Sequence, residues 1–136
     1  MKKIKLAGCV IADDYGRILL VHRNTDQFHH WELPGGKVEK DETAEAAAVR
    51  EIYEELGVQA RLVRTLGSDD CVDENGDFHF LWFQAVIVSG TPKLQETDKF
   101  DDFDYFDLED LMSLALSANM QVLYPKLASG EIPLNI

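Results

Sequence analysis

Three glutamates at helical spacing are the residues of this chain whose types and positions best suit chemistry. Glu51, Glu54 and Glu55 follow directly after Arg50, and at about 100° per residue a helix would place all three carboxylates on one narrow face. Like charges at these spacings repel by roughly 0.2–0.5 kcal/mol per pair, which indicates that a cation belongs among them. Carboxylate oxygens favour Mg²⁺, Mn²⁺ or Ca²⁺ over soft metals. The spacing therefore predicts a divalent-metal site.

The segment around these acids resembles the signature of the Nudix hydrolases. Gly36 is followed after five residues by Glu42 and, after seven more, by Arg50-Glu51-Ile52-x-Glu54-Glu55-x-Gly57-Val58. Every fixed position of that signature is matched over residues 36–58. The resemblance implies an α/β Nudix fold, an α/β/α sandwich with a mixed β-sheet, formed by a single domain over residues 1–136. It also implies hydrolysis of a diphosphate linked to another group, with Mg²⁺ or alternatively Mn²⁺ as the cofactor.

The same resemblance implies roles for the residues of the signature. Glu54 and Glu55 would hold the metal together with the backbone carbonyl of Gly36. Glu51 would bind metal through water or activate the nucleophile, and Arg50 would position the neighbouring carboxylates through bidentate bonds. Glu51, Glu54 and Arg50 form the expected catalytic group. The general base stays open, because it varies within the family.

Four residues outside that group are further candidates by resemblance, each with an alternative. Glu42 would support the loop or a second metal. Arg23 closes a Leu-Leu-Val-x-Arg pattern that often places an Arg near substrate phosphates, or it is a solvated strand end. Glu96 lies in a charged segment where relatives carry an acid that completes the metal site or acts as base, although such loops are often only solvated. Asn119 either reads the substrate base or caps a helix.

Composition and charge limit the class of protein. The chain has 136 residues, 46 % hydrophobic and 28 % charged, which is ordinary for one globular domain. Its net charge of −12 argues against nonspecific binding of nucleic acid, and a bound divalent metal would reconcile that charge with a polyphosphate substrate. No apolar run reaches membrane-spanning length, and the start does not resemble a signal peptide. We therefore expect a soluble, cytoplasmic protein without a membrane partner.

Several elements can be placed from local patterns. The helix that carries the acids is predicted to be capped by Asp41 or Thr43 and ended by Gly57, with small alanines on its acidic side. Its apolar face is expected opposite the acids, with these members: Ala46, Val49, Ile52, Tyr53 and Leu56. The expected strands and helices are a hairpin of 4–12 and 17–22, strands over 59–67 and 68–72, a central strand 78–89, a last strand 103–106, and helices 108–114 and 119–127.

The identity of the substrate is less constrained. The size of the chain, together with Arg23, Glu96 and Asn119, favours a MutT-like enzyme that converts a (deoxy)nucleoside triphosphate to the monophosphate and pyrophosphate. ADP-ribose or a nucleotide sugar is the alternative substrate. A Nudix-fold binding module without turnover is the alternative class, but such modules usually lack part of the glutamate set, which is complete here. A monomer and a homodimer both remain open, and one alternating set of aromatic residues in strand 78–89 could stack on a base or simply fill the core.

Overall fold

The strands of the chain divide between two β-sheets. A computed structural model describes residues 3–134. One sheet has the strand order β4-β1-β6-β5 and the other has the order β3-β2-β7. The strands are β1 (Ile4–Ile11), β2 (Ile18–Asn24), β3 (His29–Glu32), β4 (Gly35–Lys37), β5 (Gln59–Asp73), β6 (Gly76–Ser89) and β7 (Phe100–Phe106), and the helices are α1 (Ala44–Leu56), a 3₁₀ helix (Leu108–Ser113) and α2 (Ala118–Ala128).

The larger sheet is mixed, as expected. β1 runs parallel to β6 and antiparallel to β4, while β5 and β6 form a long antiparallel hairpin around a turn at Glu74 and Asn75. Alternating side chains of β6 point to opposite faces. Phe80 and Trp82 pack in one buried cluster with α2, whereas Phe83 packs in another with α1. A helix therefore covers each face of this sheet, and the predicted α/β/α sandwich is confirmed.

The predicted hairpin of the first two strands is wrong. The turn itself forms, because the N–H of Asp13 donates to the carbonyl of Arg17 over 2.9 Å and one isolated bridge joins Ala12 to Ile18. Beyond it, β1 enters one sheet and β2 enters the other. Residues 18–21 are all buried, which fits a strand covered on both faces rather than the edge of a two-stranded ribbon. β2 also continues through Arg23 and ends at Asn24, two residues beyond the predicted end at residue 22.

Helix α1 begins and ends as predicted. The side chain of Thr43 accepts a hydrogen bond from the N–H of Ala46 over 3.1 Å, so Thr43 rather than Asp41 is the N-cap. Gly57 ends the helix with φ of 70°, a left-handed conformation that glycine adopts without steric cost. Both ends of the acid-bearing helix are thus fixed by local hydrogen bonds.

The buried face of α1 differs from the predicted one. Ala46 and Tyr53 are exposed, Tyr53 to 53 %, although both were expected to face the core. The buried positions are Ala47, Ala48, Ile52, Glu55 and Leu56. At 100° per residue, Glu55 falls about 20° from Ala48, on the side toward Glu51, so the acidic face adjoins the core-facing side instead of opposing it. The small alanines do allow the sheet to approach closely, as expected.

The last third of the chain follows the predicted order with shifted bounds. β7 begins at Phe100, and the expected helix 108–114 is a 3₁₀ helix. Within residues 3–134, no helix has both the length and the apolar character that a membrane crossing demands.

We expect Thr43→Ala to lower the free energy of unfolding by about 1 kcal/mol, because the first turn of α1 loses its side-chain acceptor. Thr43→Ser keeps a hydroxyl at the same position and is the matched control. Chemical denaturation of the two variants measures the difference, and equal unfolding midpoints would contradict the capping role.

Candidate metal and substrate site

A buried carboxylate lies where α1 packs against β4. Glu55 is only 2 % exposed, and its Oε1 accepts a hydrogen bond from the N–H of Gly35 over 2.8 Å. Burial raises the pKa of Glu55 well above its ordinary value; the Gly35 bond opposes this, and the nearby Glu32, Glu51 and Glu96 add to it. Within residues 3–134 no basic side chain forms an ion pair with Glu55. Such a carboxylate is suited to binding a cation, which would offset its charge.

The backbone of β4 approaches the second acid of the set. A Cβ built on Gly36 would lie 2.5 Å from the carboxyl carbon of Glu51 and 2.6 Å from its Oε2. A side chain at position 36 would therefore displace Glu51, which explains in steric terms why glycine is needed there. Burial also raises the pKa of Glu51, although the adjacent Arg50 opposes the shift.

Arg50 holds the other acids together. Its Nε and Nη2 donate to the two carboxylate oxygens of Glu42 at 2.7 and 3.0 Å, and Nη1 donates to Glu51 at 2.8 Å and to Glu54 at 3.2 Å. The bond from Arg50, helped by the N–H of Glu39, lowers the pKa of Glu42 to about 2. The bidentate contact expected from the sequence is formed, but its partner is Glu42, while Glu51 and Glu54 share one nitrogen.

The donors fit a hard divalent cation, although they are not gathered into a finished cage. Within the described residues, no three His, Cys, Asp or Glu side chains converge at metal-binding distance. Glu51 and Glu54 are instead turned toward Arg50. A cation would compete with Arg50 for these two carboxylates, and the buried Glu55 beside them would supply charge that no described side chain offsets.

A cavity of about 310 Å³ opens beside this cluster. It extends from Gly36 to Asn119 and includes Arg23, Glu32 and the backbone of Gly8. The aromatic residues that line it are Phe28, His30, Phe78 and Phe80. Phe78 and Phe80 stack with ring centroids 6.0 Å apart. One of the two alternating aromatic sets therefore faces the cavity at one end and the core at the other.

Arg23 is anchored at the edge of the cavity. Its Nε and Nη2 donate to Glu32 at 3.0 and 2.8 Å, and its guanidinium lies 4.8 Å from the ring centroid of Phe100. His30 Nε2 lies 2.8 Å from the same Glu32 carboxylate. Burial alone would raise the pKa of Glu32, but the bonds to His30 and Arg23 lower it overall. Arg23 is therefore paired rather than freely solvated, and no signal in the sequence indicated that Glu32 and His30 would be its neighbours, because the contact spans adjacent strands.

Asn119 lies in the cavity and does not cap the helix. Ser117 is the N-cap of α2, since its hydroxyl accepts from the N–H of Met120 over 3.2 Å. Asn119 sits in the first turn, where its Oδ1 accepts a hydrogen bond from Trp82 Nε1 over 2.6 Å. The two alternatives left open by the sequence are thus separated: the capping role is wrong, and the side chain faces the space where a ligand would bind.

Glu96 is near the acids but bound to a neighbour in its own loop. Its carboxylate pairs with Lys99 over 3.4 Å, and its charge contributes to raising the pKa values of Glu51 and Glu55. The charge of Glu96 therefore acts on this cluster, which a solvated loop residue far from the site would not do.

Comparisons with known proteins agree with this arrangement. A family model described as NUDIX domain matches residues 2–127. The chain is 48 % identical over 62 residues to a CTP pyrophosphohydrolase of Escherichia coli, covering 44 % of this chain and 45 % of that protein, and 37 % identical over 73 residues to an 8-oxo-dGTP diphosphatase of Proteus vulgaris, covering 50 % and 65 %. A MutT NUDIX hydrolase from Burkholderia pseudomallei superposes with a TM-score of 0.84 at 32 % identity, over 93 % of this chain and 99 % of that one. The matches to the two curated relatives span about half to two thirds of those proteins.

We expect Arg50→Gln to raise the pKa of Glu42 from about 2 toward its ordinary value of 4.5, with the Glu39 N–H retaining part of the shift. A carboxyl whose pKa is depressed by folding stabilises the protein above its unfolded pKa and loses that contribution as the pH falls through the folded pKa. As the pH falls from about 4.5 to 2, protonation of Glu42 lowers the stability of the wild-type protein, and this decrease should be smaller in the variant. Carboxyl-carbon NMR titration of metal-free protein measures the pKa. The exposed Arg61, changed to Gln, is the control, and a Glu42 pKa unchanged by Arg50→Gln would contradict the assignment.

Proposed function

The chain belongs to the Nudix family, and we propose that it is a Mg²⁺-dependent pyrophosphohydrolase that converts a (deoxy)nucleoside triphosphate to the monophosphate and pyrophosphate. One observation carries the proposal. The buried Glu55 and the partly buried Glu51 lie against the glycine backbone of β4, next to a cavity with aromatic walls. Acids for a metal and a space for a nucleoside therefore adjoin each other.

In this proposal the acids of α1 hold the metal. Glu51, Glu54, Glu55 and the carbonyl of Gly36 would be its ligands, and a hard divalent ion held there would orient water and neutralise charge that develops on the phosphates. Arg50 positions Glu51 and Glu54, and Glu42 fixes Arg50 through the paired bonds already described. Manganese shares the preference for oxygen ligands and would serve in its place.

The cavity supports a single nucleoside as the organic part of the substrate. A volume of about 310 Å³ lies at the lower end of ligand pockets, which suits one base with its sugar better than a dinucleotide. Arg23, held at the rim by Glu32 and Phe100, would face the phosphates. Its guanidinium stays fully charged, because the bond to Glu32 raises the Arg23 pKa further. Phe78 and Phe80 would border the base, and Asn119 would contact its polar edge.

A panel of substrates tests the proposal directly. Purified protein with Mg²⁺ is incubated with the common ribo- and deoxyribonucleoside triphosphates, ADP-ribose and nucleotide sugars, and ³¹P NMR identifies the products. We expect monophosphate plus pyrophosphate from at least one triphosphate, with no release of single phosphates. Preferential cleavage of ADP-ribose or of a nucleotide sugar would transfer the activity to the alternative substrate class. Binding by calorimetry with no cleavage of any compound would instead indicate a binding module.

We expect Glu54→Gln to lower kcat by about 100-fold or more at saturating Mg²⁺, because even residues that only orient metal ligands cost about 10- to 100-fold when removed. The variant keeps nearly the same volume on an exposed position of α1, so its thermal unfolding should change little. Glu45→Gln, an exposed acid in the first turn of the same helix, is the matched control. Turnover near that of the control would reject Glu54 as a ligand.

A further inference from the structure

We propose that Trp82 is a positioning residue that fixes the side-chain amide of Asn119 in one orientation, so that the cavity offers N–H donors to the substrate base. The cavity then favours bases that present a carbonyl oxygen to Asn119 over analogues that present an amino group at the same position. This inference rests on the proposed function for the identity of the ligand as a nucleotide. It adds Trp82, which does not line the cavity, and it predicts which bases the cavity prefers.

The hydrogen bond between the two side chains has one possible polarity. The indole Nε1–H of Trp82 is a donor and has no acceptor capacity, whereas the amide of Asn119 has an oxygen that accepts and a nitrogen that donates. The 2.6 Å contact therefore requires Oδ1 to face Trp82. The flipped amide would set two donors against each other and leave the buried indole N–H unpaired, which is unfavourable.

The other half of the amide faces the cavity. A Cβ built on Gly8 would lie 3.4 Å from Asn119 Nδ2, and both Gly8 and Asn119 line the cavity wall. Within residues 3–134 no oxygen accepts a hydrogen bond from Nδ2. Because Gly8 has no side chain, it leaves space beside this nitrogen for a ligand.

Both partners of this hydrogen bond, the Trp82 indole and the Asn119 backbone, are held in place by the fold. Trp82 is 0 % exposed, belongs to β6 between its two neighbouring strands, and stacks on Phe80 with ring centroids 6.4 Å apart. The backbone of Asn119 follows directly after the cap made by Ser117. A donor fixed in this way loses little conformational freedom when a ligand binds, so its orientation selects among ligands rather than adapting to them.

Matched pairs of bases distinguish a donor from an acceptor in the site. Hypoxanthine and adenine differ at one exocyclic position, a carbonyl oxygen against an amino group, and uracil and cytosine differ in the same way. The Nδ2–H of Asn119 can donate to the carbonyl, but it meets a second donor in the amino analogue. A site that has a polar group left unpaired by the wrong ligand discriminates strongly, so the oxo member of a pair should bind tighter.

Calorimetry with nucleoside monophosphates in the absence of metal tests the inference independently of hydrolysis. The probes are inosine and adenosine 5′-monophosphate, and uridine and cytidine 5′-monophosphate. In the wild-type protein we expect the oxo member of at least one pair to bind about tenfold tighter, the scale of one hydrogen bond. Trp82→Phe keeps an aromatic ring but removes the N–H, so this ratio should fall toward one as the amide becomes free to flip.

Asn119→Asp provides the decisive second variant. Its carboxylate still accepts from Trp82 but presents an oxygen to the cavity, so the preference should reverse toward the amino member. Trp31→Phe makes the same substitution at the other tryptophan, outside the cavity lining, and should leave the ratio unchanged. If Trp82→Phe does not fold, the reversal in Asn119→Asp alone decides the question.

A spectroscopic measurement separates positioning from simple packing. In ¹H–¹⁵N spectra, addition of the preferred monophosphate should shift the Nδ2–H₂ signals of Asn119 while the Trp82 indole signal stays protected from exchange. Equal binding of both members of each pair to the wild type, no binding at all, or an unchanged ratio in both variants would overturn the inference. If the protein hydrolyses triphosphates but shows no such base preference, the proposed function stands and this inference fails. If the base preference is observed without hydrolysis, this inference stands and the proposed function fails.

Discussion

The burial of the Glu55 carboxylate constrains everything around it. An ionised group removed from water is strongly unfavourable unless it is paired, and the only hydrogen bond that the described chain gives Glu55 is the N–H of Gly35. That bond requires the glycine backbone of β4 to lie directly beneath α1. Because the acidic face adjoins the buried face of the helix, the core cannot pack without also enclosing this acid. The fold therefore carries an electrostatic cost that an added cation would relieve.

Arg50 distributes the remaining negative charge. One guanidinium contacts Glu42, Glu51 and Glu54, so these acids are kept near one another without a metal. The chain has a net charge of −12, and the contacts with Arg50 offset part of the repulsion among these acids. Arg23 and Glu32 form a second paired unit across the cavity. Each of these two arginines is thus committed to a carboxylate, and Glu55 is left without a basic partner among the described residues.

The acidic helix could be predicted from sequence because its features are local. Glutamate spacing, the Thr43 cap and the terminal Gly57 all act within a few residues. The partners of β1 and β2 could not be predicted, since the turn at Asp13 forms in the same way whether the strands pair or separate. Asn119 was also ambiguous, because Ser117 is an equally good cap two residues earlier and only the contact with Trp82 fixes its role. The buried face of α1 was misplaced because an acid, Glu55, occupies a position that a hydrophobic residue would normally fill.

The parallel pairing of β1 with β6 affects how the protein is made. Ile4 pairs with Phe78 and Ile11 with Ala85, so more than half of the sequence must be synthesised before the first strand meets its partner. Contacts that are so distant along the chain form slowly, and until β6 is synthesised β1 can pair only with β4, on its other edge. Gly8, which forms part of the cavity wall, lies in this strand. Unpaired strand edges favour aggregation, so the β6 edge of β1 is exposed to it until the second half of the chain emerges.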